Sequence, residues 1–179
     1  MMVQTDQMKV VLLEDEDLLR GLLGDWLSSQ PDIELLDSFR SLKAFNSSLE
    51  STVKDADVII ADLFLTDGES LDPVLREISA NPKKQGLVVI SGRPTADLFD
   101  RMSNGMSGGW AFLLKNSNGL SNLRQALQAV QSGLVMVDPE LKNMFSTPGL
   151  NTSLTAQERS VIEKVAEGKS NAVIAKETF

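Results

Sequence analysis

Four apolar runs of strand length punctuate the first two thirds of the chain, and each closes on a polar residue. Runs 10–13, 58–61, 87–90 and 111–114 end at Glu14-Asp15, Asp62, Ser91 and Lys115. Short, continuous apolar runs separated by helical patterns read as parallel strands buried on both faces. The helical patterns lie where that reading needs them. Leu18, Leu19, Leu22, Leu23, Trp26 and Leu27 form a stripe at helical spacing, followed by Pro31-Asp32 and a short second strand, Ile33-Glu34-Leu35-Leu36. Residues 41–50, with Leu42, Phe45 and Leu49, predict a weaker second helix. Leu71, Val74, Leu75 and Ile78 mark a third, and Thr95 caps a fourth over 96–103 that is thin in apolar residues. Leu120, Leu123, Leu127 and Val130 give the fifth a single face, closed by Gly133. Five β-α units in a row predict an α/β fold with a doubly wound parallel sheet.

In an open parallel sheet the ligand site lies at the carboxyl ends of the strands. Two adjacent acids, a central Asp, a hydroxyl and a Lys would meet there, a set suited to Mg²⁺-assisted phosphoryl transfer to Asp62. The composition agrees. The 179 residues contain no Cys and no His, which excludes disulfides, thiol or Ser-His nucleophiles and the usual zinc sites. Any metal must be held by oxygen, hence Mg²⁺, with Mn²⁺ as the alternative. Taken singly, each residue has a plainer reading: Asp15 or Asp17 as a cap of the first helix, Asp62 as a turn residue, Lys115 as a solvent-facing cation. Only their joint placement at four strand ends favours the site.

No run approaches the ~20 apolar residues of a membrane span, and residues 1–8 lack the features of a signal peptide, so a cytoplasmic protein without membrane contact is expected. The net charge of −8 sits wholly in residues 1–150. Residues 151–179 balance Arg159, Lys164, Lys169 and Lys176 against Glu158, Glu163, Glu167 and Glu177. Residues 134–153, with Pro139, Pro148, Gly149 and a Ser/Thr/Asn cluster, read as a linker holding at most one short helical stretch near residues 140–145. Thr155-Ala156-Gln157-Glu158 fits a capping box, Val161, Ile162, Val165 and Ala166 line one helix face, and Ser170 caps a second helix with Val173, Ile174 and Ala175. Two short helices around a tight turn resemble the opening of a helix-turn-helix unit.

On these residues the chain resembles the bacterial two-component response regulators. Residues 8–133 resemble the receiver (CheY-like) domain, with Glu14-Asp15 as the acidic pair, Asp62 as phosphoacceptor, and Ser91 and Lys115 as the hydroxyl and lysine. Leu154-Thr155-Ala156-Gln157-Glu158-Arg159 and Ala166-Glu167-Gly168-Lys169-Ser170-Asn171 resemble the start of the LuxR/NarL-type DNA-binding domain. The resemblance implies a flavodoxin-like (βα)5 receiver over 1–133, a linker over 134–153 and a truncated all-α helix-turn-helix segment over 154–179. It implies a phosphoacceptor signalling protein and not an enzyme, beyond self-phosphorylation and slow autodephosphorylation. A sensor histidine kinase would supply the phosphoryl group, activation would produce a homodimer, and DNA would be bound through the full-length effector domain and not through this truncated chain.

The mechanism so implied places Asp15 and Asp62 on the metal, Glu14 beside them directly or through water, and the Phe64 backbone carbonyl as a further ligand. Asp62 attacks the phosphoryl group, Lys115 offsets the charge on its oxygens, and Ser91 is drawn toward it while Phe112, the switch residue, rotates into the space left. Three positions depart from the family pattern. Thr66 stands where Pro is usual, Phe112 where Tyr is common, and Asn116 where Pro often follows the lysine. None removes a group that the chemistry needs. The alternative is a receiver-type interaction module that acts without DNA binding because its effector domain is truncated.

Overall fold

The computed structural model describes residues 7–62, 65, 71–81, 83–92, 95–115, 119–141, 160, 164–165 and 173–174. Among these residues, six strands, β1 (Met8–Leu13), β2 (Ile33–Phe39), β3 (Val58–Asp62), β4 (Gly86–Ser91), β5 (Trp110–Leu114) and β6 (Val135–Val137), alternate with five α-helices of six residues or more. These are α1 (Asp17–Ser28), α2 (Leu42–Ser47), α3 (Asp72–Ala80), α4 (Ala96–Gly105) and α5 (Gly119–Gln131). The strands form one parallel sheet in the order β2-β1-β3-β4-β5-β6. The order reverses between β1 and β3, and that switch point opens a crevice at the carboxyl edge.

Alternation along each central strand divides the core. Val10, Leu12, Val58, Ile60, Val88, Ile90, Ala111 and Leu113 face one apolar cluster with Leu23, Leu27, Leu123, Leu127 and Val130 of α1 and α5. Val11, Leu13, Ile59, Ala61, Leu87, Val89, Trp110 and Phe112 face the other, with residues of α2, α3 and α4. A period of two thus buries every residue of β3 and β4 against helices on both sides. The close fit of α5 needs residues without side chains beneath it: a Cβ on Gly109 would lie 2.3 Å from the Val130 carbonyl oxygen.

Several expectations hold in detail. Thr95 caps α4, accepting from the Leu98 amide at 3.4 Å, and Gly133 ends α5 in the left-handed region at φ 75°. Leu71, Val74, Leu75 and Ile78 are all buried. Of the expected α5 face, Leu123, Leu127 and Val130 are buried, while the Leu120 side chain lies outside the described residues.

Other expectations need correction. The sheet has a sixth strand, Val135–Val137, inside the segment read as linker, paired to β5 through Phe112 and Val137. A helical turn follows over residues 139–141, where the short helical stretch was expected. The second helix is shorter than 41–50: α2 starts at its Ser41 cap, ends at Ser47, and gives way to a π-helical turn, Leu49–Val53. Ser47 and Ser51 hydroxyls donate to the carbonyls of Lys43 and Ser48, local bonds that compete with a continuous ladder, and Val53 N reaches back five residues to Ser48 O. The α1 stripe is too broad for one sheet-facing stripe, and Leu18 and Leu22 are 71% and 59% exposed.

Positions 66–68, Arg93 and Asn116 lie outside the described residues, as do most positions of the expected helix-turn-helix. Of the latter, Ser160, Lys164, Val165, Val173 and Ile174 are helical. Val165 and Ile174 are buried in the α2–α3–α4 side cluster together with Leu141, whereas Val173 is exposed.

Candidate functional site

Strand ends bring the predicted side chains together. β1 ends at Leu13, so Glu14 and Asp15 follow directly, and β3 is held against β1 in a register that pairs Leu13 with Ala61. Asp62 is therefore one step further out, level with Ile90 of β4. Ser91, fully buried, ends β4 opposite Leu114, and its carbonyl accepts from the Lys115 amide at 2.9 Å. The Lys115 ammonium turns back over the sheet edge. It donates to Asp62 Oδ2 at 2.8 Å and lies 3.0 Å and 3.2 Å from the two Glu14 oxygens.

These are buried charges. Glu14 and Asp62 are 1% and 5% exposed, so their pairing with one ammonium offsets a desolvation cost of several kcal/mol per ion. Burial pushes the Glu14 carboxyl above its usual range, and the Asp62 charge adds to this against the opposing hydrogen bond from Lys115. Burial alone would lower the Lys115 ammonium, but its hydrogen bonds to Asp62 and Glu14 outweigh that and raise it. Ligand oxygens of Glu14, Asp15 and Asp62 lie within 4.8 Å of one another, close enough to share one cation. An all-oxygen set of this kind fits Mg²⁺ or Mn²⁺. Phe64, whose carbonyl was expected to complete the set, lies outside the described residues. Phe112 is buried on β5 on the α4 side, two residues from Trp110, whose ring meets Phe99 edge-on at 5.4 Å.

The residue preceding α1 is Glu16, whose own side chain makes no capping bond and whose amide donates to Glu14 Oε1 at 3.2 Å. One participant escaped the sequence reading. Arg20 donates to the Glu14 carbonyl at 3.0 Å and, more weakly, to that of Asp15 at 3.4 Å, while pairing with Asp17. It thus clamps the acidic turn from below. The i,i+3 spacing of Asp17 and Arg20 was its only signal in the sequence.

No protein-family model matches the chain. It is 24% identical over 179 residues to the DNA-binding transcriptional activator DevR/DosR of Mycobacterium tuberculosis, covering 96% of this chain and 80% of that protein. It is 27% identical over 187 residues to the transcriptional regulatory protein LiaR of Bacillus subtilis, covering 96% and 82%. It is 26% identical over 182 residues to the nitrate/nitrite response regulator protein homolog of Haemophilus influenzae, covering 97% and 83%. Its homologues are transcriptional response regulators. Solved structures agree on the fold. The isolated REC domain of RcsB from Salmonella enterica serovar Typhimurium, with a phosphomimetic BeF3⁻, matches with TM-score 0.64 at 17% identity, over 78% of this chain and 99% of that one. A LuxR-family response regulator from Aurantimonas matches with TM-score 0.62 at 14% identity, over 77% and 94%. This chain places a Glu-Asp pair, an Asp, a Ser and a Lys at the carboxyl edge of one such sheet. No helix among its described residues is long and apolar enough to cross a membrane.

Proposed function

We propose that this response regulator accepts a phosphoryl group on Asp62 from a sensor histidine kinase and uses it to control a C-terminal DNA-binding domain. The observation that carries the reading is the grip of Lys115 on both Asp62 and Glu14 inside a three-carboxylate crevice. An Asp62 oxygen attacks phosphorus, the P–N bond of a phosphohistidine breaks, and the imidazole leaves with the electron pair and takes up a proton. Glu14, Asp15 and Asp62 would hold the divalent cation, which supplies charge neutralisation for the transferring group. Lys115 stays within reach of Asp62 and stabilises negative charge on the phosphoryl oxygens. Its backbone is fixed to Ser91 O, so the ammonium is aimed before the donor arrives.

Once formed, the aspartyl phosphate attracts the Ser91 hydroxyl at the end of β4. Phe112, packed on the neighbouring strand, then rotates into the space left, and the surface around α4, β5 and α5 changes. That surface supports pairing with a second phosphorylated copy and release of the C-terminal segment. RcsB, a structural neighbour at 19% identity, has been solved as two dimers bound to two parallel DNAs, a precedent for such an output.

The test is intact-mass measurement after incubation with Mg²⁺ and a small phosphodonor such as acetyl phosphate. Wild type is expected to gain a phosphate that chelation prevents, and Asp62→Asn to gain none. Phosphate on the Asp62→Asn protein, or none on wild type with several donors and kinases, overturns the assignment.

A further inference from the structure

We propose that Asp138 is a positioning residue that carries the state of the Lys115 end of β5 into the chain that follows the sheet. The proposal rests on the reading of Asp62 as phosphoacceptor. β6 joins β5 at the sheet edge, and the last main-chain bond between them runs from Asp138 N to Phe112 O at 2.9 Å. A parallel ladder would continue with Leu114 N donating to the Asp138 carbonyl. That carbonyl is occupied elsewhere: it accepts from Leu141 N at 3.0 Å and closes the helical turn that begins at Pro139. The carboxylate takes over the ladder position. Asp138 Oδ2 accepts from Leu114 N at 3.4 Å, and Oδ1 accepts from Glu140 N at 3.1 Å.

One side chain, 2% exposed, therefore ties two backbones together. One belongs to the residue before Lys115, and the other lies in the helical turn over residues 139–141 that follows the sheet. The chemistry demands a carboxylate, because both donors are amides and each needs its own acceptor oxygen. An Asn would turn its NH2 toward one of them, and an Ala would remove the acceptor of both in a part-buried place. Lys115 is the moving end of this linkage. Its ammonium holds Asp62 and Glu14, so a new charge on Asp62 shifts the balance of forces on it. The strain passes through Leu114 to Asp138 and from there to Glu140 and Leu141. Leu141 is fully buried in the apolar cluster that also holds Phe112, so the turn is anchored in the same core as the switch residue.

Hydrogen exchange by mass spectrometry, with and without Mg²⁺ and beryllofluoride, tests this on wild type, Asp138→Ala and Asp138→Asn. Phosphate uptake is read separately by intact mass. Loading wild type should change exchange in peptides covering 134–141 by about fivefold, the scale of one hydrogen bond. Asp138→Ala should still take phosphate at Asp62 but lose that change, and Asp138→Asn should keep part of it. A merely structural role would lower protection equally in both states and leave the loading-dependent difference intact, which would overturn the proposal. So would a wild type that takes phosphate without any change in 134–141. Absence of phosphate on wild type defeats the phosphoacceptor reading itself, and the proposal falls with it. If Asp138→Ala does not fold, as judged by its melting curve, Asp138→Asn decides the matter: a full wild-type difference in that variant refutes the linkage.

Discussion

Replacing Lys115 with Met removes an ammonium that Glu14 and Asp62 share while keeping most of the side chain's apolar stem. The contacts broken lie at 2.8 Å and 3.0 Å between partly or fully buried groups. At about 3 Å and an effective dielectric of about 20, each attraction is worth about 5 kcal/mol before desolvation is subtracted. Removing one partner of a buried pair costs about 3–5 kcal/mol in practice. The Lys115 side chain is 22% exposed, so solvent screens part of this. An expected loss of about 2–3 kcal/mol follows, measured by urea denaturation in EDTA with the fluorescence of Trp26 and Trp110 as reporters. The same reasoning sets the response to metal. Lys115 competes with a cation for the same carboxylates, so Mg²⁺ should bind the variant more tightly and stabilise it more than wild type, by about 1 kcal/mol or more at equal concentration. A variant as stable as wild type in EDTA, or an equal Mg²⁺ increment in both proteins, would show that the carboxylates do not depend on Lys115 for charge balance.

Two further outcomes are expected. Gly109→Ala should destabilise the fold by about 1–3 kcal/mol with no change in phosphate chemistry, because its Cβ would meet the Val130 carbonyl oxygen at 2.3 Å and backbone must shift; an unchanged melting temperature would contradict the packing of α5. The 179-residue chain should not bind DNA sequence-specifically at physiological salt, since its −8 charge repels phosphate and residues 151–179 carry no net positive charge to offset it; anisotropy titrations showing sub-micromolar, sequence-dependent binding would refute this.

The sheet and its site were legible because they depend on strong, local signals. A buried parallel strand must be apolar on both faces, so β1, β3, β4 and β5 stand out as continuous runs, and the first polar residue after each run lies at the carboxyl edge. Glu14, Asp62, Ser91 and Lys115 could thus be placed from spacing alone, and Asp15 followed from its neighbour. β6 was missed because three residues followed by Asp-Pro carry a turn signature, and its strand character comes only from the open edge of β5. Asp138 was missed with it. A side chain that substitutes for a ladder carbonyl is visible only once both backbones are in place.

The first helix shows where periodicity misleads. Its apolar positions at 18, 19, 22, 23, 26 and 27 span more of the helix circumference than a sheet can cover, since an α-helix laid on a flat layer buries one stripe. Leu23 and Leu27 take that stripe, with Leu19 and Trp26 at its flanks packed against the same cluster. Leu18 and Leu22, one turn apart, are left facing solvent just after the acidic turn that Arg20 clamps. Burying two leucines from water is worth about 1.5–3 kcal/mol each, so their exposure is a stability gain that α1 forgoes on its own fold. The sequence signal for a buried helix and that for a helix apolar on an additional face are the same up to this point. Only the placement of the sheet separates them.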